Sequence, residues 1–289
     1  MNTFWYTLLV RIANVCGSWF FAAVARIIAT GYYLFSGRVP ESCRFYGALY
    51  PDSGRLYQLF CTFRQYQNFT TIHFDKFLQR QAKPVAYTSE GWEHLESVIG
   101  RQGGVLLMSH LGNWEMAATL LLQRRTDLQL LLYMGVKEKE GVERMQKDEL
   151  RASGVTIIGA DQEGNSPFSA VDGIRVLKSG GVVSMAGDIV WRSDQRRVRV
   201  SFLGHDAYLP EAPFVFALVA SAPLLVFFAF RTGENRYHFS LSEPIYLQAF
   251  SRAERSTAIA EAAQRYADLL ERSLKQHPLE WYHFDRFIH

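Results

Sequence analysis

The sequence predicts an α/β protein: an αβα sandwich around a mixed, largely parallel central sheet, preceded by an apolar N-terminal helical anchor. Three observations predict it. Short apolar runs alternate with helix-length stretches from "GGVLLMS" to "GGVVSMAGD", the pattern of βαβ crossovers. The 289 residues are 48% hydrophobic, enough to bury one large core. Between Phe4 and Phe35 the chain is very apolar and aromatic, with Arg11 and Arg26 as its charged interruptions.

That first stretch leaves 14 residues between its two arginines, short for a membrane span unless the arginines snorkel. Trp5, Tyr6, Trp19, Tyr32 and Tyr33 at its two ends resemble an interfacial aromatic belt. "AVA" at Ala23 to Ala25 supplies a small-residue cleavage pattern, but the basic start of a secretory signal is weak. The reading is a retained anchor, lying in the interface or tilted through it, over residues 1–36, with one domain over 37–289. From Leu56 to Leu78 apolar residues recur every three and four positions, predicting one or two amphipathic helices. Then follow strand "GGVLLMS", helix Asn113 to Arg124, strand "LQLLLYM", helix Lys139 to Ala152, strand "VTIIG", helix Pro167 to Lys178 and strand "GGVVSMAGD". "RRVRVSFLG" alternates like a hairpin arm, "PLLVFFAF" reads as a buried strand and "YHFSLSEPIYL" as an alternating one. A last helix runs from about Ser251 to Gln276 and stops before Pro278.

Composition excludes little but is useful at the margins. A net charge of +3 does not call for nucleic acid. Cys16, Cys43 and Cys61 are odd in number, widely spaced and without CxxC pairing, so neither a disulfide framework nor a zinc site is expected. Each is expected as a small buried hydrophobe.

The chemistry concentrates in "SHLGNWE", Ser109 to Glu115. If the strand ends near Ser109, His110 stands on the loop beyond the carboxyl edge of the sheet, where open α/β sheets place ligands. Gly112 permits a sharp turn, Asn113 is a good N-cap, and Glu115 falls in the first helical turn. From there its carboxylate can curl back and hold the imidazole of His110 in one tautomer, making a general base and its orienter. The same residues also fit a turn-capping histidine with Glu115 merely compensating the helix dipole. No G-x-S-x-G elbow surrounds any serine, so the proton His110 takes is expected to belong to a substrate hydroxyl. Trp114, Phe168, Trp191, Phe202 and "FVFALV" are candidates to line an apolar slot. Arg192, Arg196, Arg197 and Arg199 gather into a basic patch suited to an acidic carrier protein or anionic lipid, or to a solvated hairpin face. His205, His238, His277 and His283 lack a carboxylate at similar spacing and read as structural or surface residues.

"SHLGNWE" resembles the H-x-x-x-x-[D/E] block of the bacterial lipid A biosynthesis (late) acyltransferases, more distantly the glycerolipid acyltransferases. "LKSGGVVSMAGD", "VSFLGHDAYLPEAPFVFALVASAPLLVFFAFR" and "HPLEWYHFDRF" resemble the same family in the same order. The resemblance implies transfer of an acyl chain from an acyl carrier protein or coenzyme A thioester to a hydroxyl of a membrane lipid. It implies His110 and Glu115 as the catalytic pair, and no metal or bound cofactor beyond the thioester. It also implies a setting on the cytoplasmic face of a bacterial inner membrane. Asn113, Trp114, Asp188, Arg231 and the basic pair Lys147 and Arg151 are the substrate-binding set it points to. Two departures bear on the acceptor: Val190 stands where many members have a second aspartate, and Glu211 replaces the usual glycine after "LP". The acceptor is then open among a lipid A precursor, another glycolipid, an amino-acid lipid and a polyene head group. The rival readings are a thioester hydrolase of the same fold and a non-catalytic membrane- or carrier-binding module.

Overall fold

The computed structural model describes residues 18–80, 85–135, 155–160, 167–190 and 194–289. The helix expected from Lys139 to Ala152, together with Trp191, Arg192, Cys16 and residues 1–17 of the anchor, lies outside them.

Three helices come first: α1 (Ser18–Phe35), α2 (Val39–Leu49) and α3 (Arg55–Arg80). The three-and-four periodicity from Leu56 onward thus becomes a single long helix. Tyr33 of α1 packs edge-on against Phe63 and Tyr66 of α3, tying the two together. The opposite side of α1 presents Trp19, Ile27, Tyr32, Leu34 and Phe35 to the outside, and α3 adds Leu56 and Phe60. Among the described residues no helix is long and apolar enough to cross a membrane.

The sheet is built from β1 (Ala86–Glu90), β2 (Gly104–Met108), β3 (Leu130–Gly135), β4 (Thr156–Ala160), β5 (Val182–Ala186), β8 (Leu224–Gly233) and β9 (Arg236–Leu241). Its order is β1-β9-β8-β2-β5-β3-β4. Five strands from β8 to β4 run parallel, while β9 and β1 run the other way, because β8 and β9 form an antiparallel pair. The mixed, largely parallel sheet expected from the sequence is therefore present. Its edge strand β1 and the short helix α4 (Trp92–Glu96) were not expected, since "AYTSE" is mostly exposed and carries no apolar alternation.

Both faces of the sheet are covered, as parallel strands require. Val105 and Leu107 of β2 pack into one apolar cluster with Phe214 of α7 (Ala212–Ala220) and Tyr266 and Leu270 of α8 (Glu254–Gln276). Leu106 and Met108 turn the other way, onto Leu95 of α4 and Met116 and Leu120 of α5 (Trp114–Arg124). Helix α6 (Pro167–Lys178) has the predicted ends, and β6 (Arg197–Phe202) pairs with β7 (His205–Pro210) as a separate hairpin. The start of α8 is set by a reciprocal cap: Glu254 N–H donates to Ser251 Oγ at 3.3 Å, and the Glu254 carboxylate accepts from Phe250 N–H at 2.8 Å. Cys43 and Cys61 are buried free thiols.

Candidate active site

Strands β2 and β5 are not consecutive, yet they lie side by side with Gly104 opposite Val182 and Met108 opposite Ala186. That register is an offset of 78 residues, and both chains keep it for two residues beyond the strands. It therefore sets His110 beside Asp188 at the carboxyl edge of the sheet. Gly187 N–H still donates to Met108 carbonyl at 2.9 Å, so the ladder persists that far. Gly187 has to be glycine for close approach: a Cβ there would stand 2.7 Å from the ring of Tyr266, whose hydroxyl donates to the same Met108 carbonyl at 3.1 Å.

Asp188 is fully buried and accepts three hydrogen bonds. His110 Nδ1–H donates to Oδ1 at 2.9 Å, His110 backbone N–H to Oδ2 at 2.7 Å, and Trp281 Nε1–H to Oδ2 at 3.2 Å. A buried carboxylate without such donors would be protonated; burial pushes its pKa up, but the His110 charge and the hydrogen bonds from its ring and backbone hold it below the ordinary value. The imidazole of His110 retains 27% exposure. Burial alone would lower its pKa, and the Asp188 charge and hydrogen bond, helped by Asp285, outweigh that and raise it. With Nδ1 fixed as the donor to Asp188, Nε2 is the nitrogen that bears the lone pair.

The loop carrying His110 is clamped from two sides. Gly112, at φ +77°, lies so close to β8 that a Cβ would be 2.5 Å from Ala229 carbonyl. Asn113 N–H donates to that carbonyl at 2.8 Å. On the other side the C-terminal segment pairs like an added strand: Gly112 N–H donates to Glu280 carbonyl at 2.9 Å, Tyr282 N–H to His110 carbonyl at 2.8 Å, and Leu111 bridges Trp281. Gln65 and Asn68 of α3 hold that segment through Trp281 and Leu279 carbonyls.

Asn113 caps α5, its side-chain oxygen accepting from Met116 N–H at 3.1 Å. Its amide NH2 donates to Tyr237 hydroxyl at 3.3 Å, and that hydroxyl in turn donates to the fully buried Asp75. Arg231 closes the network, with Nε at 2.8 Å and an NH2 group at 3.3 Å from the Asp75 carboxylate. Burial first, then the Asp75 charge, push the Tyr237 phenol far up, so it stays a donor.

The structure thus brings His110, Asn113 and Asp188 together and places Trp114 and Glu115 in the first turn of α5. The carboxylate on Nδ1 is that of Asp188, a residue expected from the sequence only in the substrate-binding set. Arg231, read as substrate-binding, is engaged with Asp75. Phe202 and Phe214, read as slot candidates, are fully buried core, Phe202 packing on Trp281 and Phe287. Lys147 and Arg151 lie outside the described residues. Four residues of the neighbourhood were missed: Asp75, Tyr237, Trp281 and His283. His283, read as structural or surface, faces His110 with ring centroids 6.1 Å apart. The signal available for Asp188 and Trp281 was their place in motif blocks; nothing in the spacing marks Asp75 or Tyr237.

The family model for bacterial lipid A biosynthesis acyltransferase matches residues 59–287, from α3 to the segment that carries Trp281 and His283. No curated protein matches the chain.

Proposed function

The chain belongs to the bacterial lipid A biosynthesis acyltransferase family, and we propose that it moves a fatty acyl chain from an acyl carrier protein or coenzyme A thioester to a hydroxyl of a lipid or glycolipid. The observation that carries the mechanism is the 2.9 Å bond from His110 Nδ1 to buried Asp188. Nε2 of His110 accepts the proton of the acceptor hydroxyl as its oxygen attacks the thioester carbonyl. The tetrahedral intermediate collapses with cleavage of the C–S bond, and the thiolate leaves with the proton from the imidazolium. Asp188 orients the ring and stabilises the imidazolium while remaining ionised. Glu115, in the first turn of α5, belongs to the same mouth of the sheet, and the positive end of that helix favours the developing oxyanion.

The outward side of α1 and α3, with Ile27, Leu34, Phe35, Leu56 and Phe60, supports contact with a membrane surface that carries the lipid acceptor; the cytoplasmic face of the inner membrane is the setting that the family resemblance implies. Arg196, Arg197 and Arg199 on the β6 side are exposed and form a basic patch suited to an acidic carrier, with Arg199 held by Asp206 at 2.6 Å.

The test is mass spectrometry of lipids from cells expressing the parent or His110→Ala. The parent adds one acyl mass to a lipid and the variant does not; an equal acyl mass in both refutes the role of His110. Thioester consumption that ignores added lipid would mark a hydrolase instead.

A further inference from the structure

Residues 281–283 run as an extended strand against the His110 loop, so alternate side chains share a side. Trp281 and His283 fall on the side of Asp188, while Tyr282 turns away from it toward Thr71 and Asp75. The His283 ring is wedged between Trp281, 5.5 Å away, and Phe287, 5.2 Å away, and stands at 87° to the ring of His110. Its Nδ1 lies 3.2 Å from Asp285 carbonyl, an acceptor only, so Nδ1 carries the proton and Nε2 the lone pair. No hydrogen bond to Nε2 is formed among the described residues. The Asp188 carboxylate is already occupied by His110 and Trp281, and His283 does not compete for it.

We propose that His283 is a second substrate-contacting histidine, whose Nε2 accepts a hydrogen bond from an N–H or O–H group of the substrate lying beside the hydroxyl that His110 deprotonates. The inference rests on the acyltransferase reading. Two sources present such a donor: an amide N–H of the pantetheine arm on the thioester, and a hydroxyl or amide next to the reacting hydroxyl of the lipid. Burial and the neighbouring His110 charge, against the pull of Asp188 and Asp285, keep the His283 pKa below its ordinary value. A neutral His283 leaves the His110 imidazolium unopposed during transfer and keeps the Nε2 lone pair available.

The experiment compares the full chain as parent, His110→Ala, His283→Phe and His283→Gln, with palmitoyl-coenzyme A as donor and a lipid extract from non-expressing cells as acceptor, alongside lipid mass spectra of the expressing cells. Phe keeps the stacked ring and removes the acceptor nitrogen; Gln restores an acceptor near Nε2. Leaving one substrate donor unpaired costs about tenfold to a hundredfold in transfer, with Gln recovering most of it. A KM rise confined to palmitoyl-coenzyme A assigns the partner to the pantetheine arm, and one confined to the lipid assigns it to the acceptor. A Phe variant equal to the parent overturns the inference, as does a folded Gln variant no better than Phe. If Phe does not fold, as read by circular dichroism, the Gln variant decides: near-parent transfer supports the acceptor role and loss in a folded protein overturns it. A parent that adds no acyl mass in cells, or a His110→Ala variant as active as the parent, defeats the acyltransferase reading itself, and the inference goes with it.

Discussion

Asp188→Asn is the sharpest perturbation, because it changes one atom in a carboxylate that takes three donors. Asparagine has a single acceptor oxygen. If that oxygen takes the place of Oδ2, it keeps both His110 N–H and Trp281 Nε1–H, bonded in the parent at 2.7 and 3.2 Å. The amide NH2 then faces His110 Nδ1, which sits 2.9 Å from Oδ1 in the parent. Two donors cannot face each other, so the imidazole accepts at Nδ1 and moves its proton to Nε2, the nitrogen that must act as base. The opposite orientation leaves two donors against the NH2, at about 1–3 kcal/mol each, and is disfavoured. The variant therefore folds with a small stability loss and the wrong tautomer, and its rate falls by about 10² to 10⁴. Without the Asp188 charge, burial outweighs the smaller pull of Asp285 on His110, and its pKa drops from above the ordinary 6.5 to below it. The remaining activity should rise with pH through a lower midpoint than in the parent, whose acid limb lies above 6.5. A pH–rate profile of acyl transfer from palmitoyl-coenzyme A measures both features. A variant with parent rate, or with its acid limb unmoved, refutes the assignment of Asp188 as the orienting carboxylate.

Other changes probe the same construction. Glu115→Gln should cost less activity than Asp188→Asn; the reverse order in steady-state rates would return the orienting role to Glu115. Because the folded pKa of His110 is raised, its pairing with Asp188 stabilises the fold fully below about pH 6.5 and ceases to do so as pH rises through the folded value. The Tm gap between parent and Asp188→Asn should thus be wider near about pH 6 than near about pH 9, and a gap of constant size contradicts the linkage. Asp75→Ala strands Arg231 and the Tyr237 hydroxyl in a buried network. Its cost is about 3 kcal/mol, the low end for a broken buried pair, because the Arg231 side chain keeps 27% exposure. Chemical denaturation should show that loss, and a loss below about 1 kcal/mol would mean the network does not brace the fold. Gly112→Ala forces a side chain at φ +77° into Ala229 carbonyl and displaces the His110 loop, so transfer activity and Tm should fall together.

The sequence disclosed the elements better than their neighbours. Strands β2 to β5 and helices α5 and α6 were legible because buried apolar runs and N-cap chemistry are local properties. Their lateral order was not. His110 and Asp188 follow two separate strand signals, and only the adjacency of β2 and β5, with β3 and β4 on the far side of β5, joins them. A local search for a carboxylate near His110 finds Glu115 five positions on, since sequence distance is all it has to rank by. Asp75 and Tyr237 were invisible for a related reason. One sits in an amphipathic helix and the other in an alternating strand, where polar residues are expected on the wet face. Their burial results from α3 meeting the β8–β9 hairpin.

The C-terminal segment explains why the site needs nearly the whole chain. Residues 110 and 188 alone would give a histidine and a carboxylate at a sheet edge, open to water on one side. Trp281 adds the third donor to Asp188 and roofs it with an indole, while Tyr282 and Glu280 hold the backbone on either side of Leu111. That lowers the local dielectric around the pair without leaving the carboxylate short of donors, the condition under which a buried anion stays ionised and a neighbouring imidazole keeps its basicity. Since Gln65 and Asn68 of α3 bind the same segment, the helices that offer an apolar outer side are coupled directly to the base. A displacement of α3 relative to the sheet therefore reaches the site by two routes, through Trp281 to Asp188 and His110, and through Asp75 and Tyr237 to Asn113.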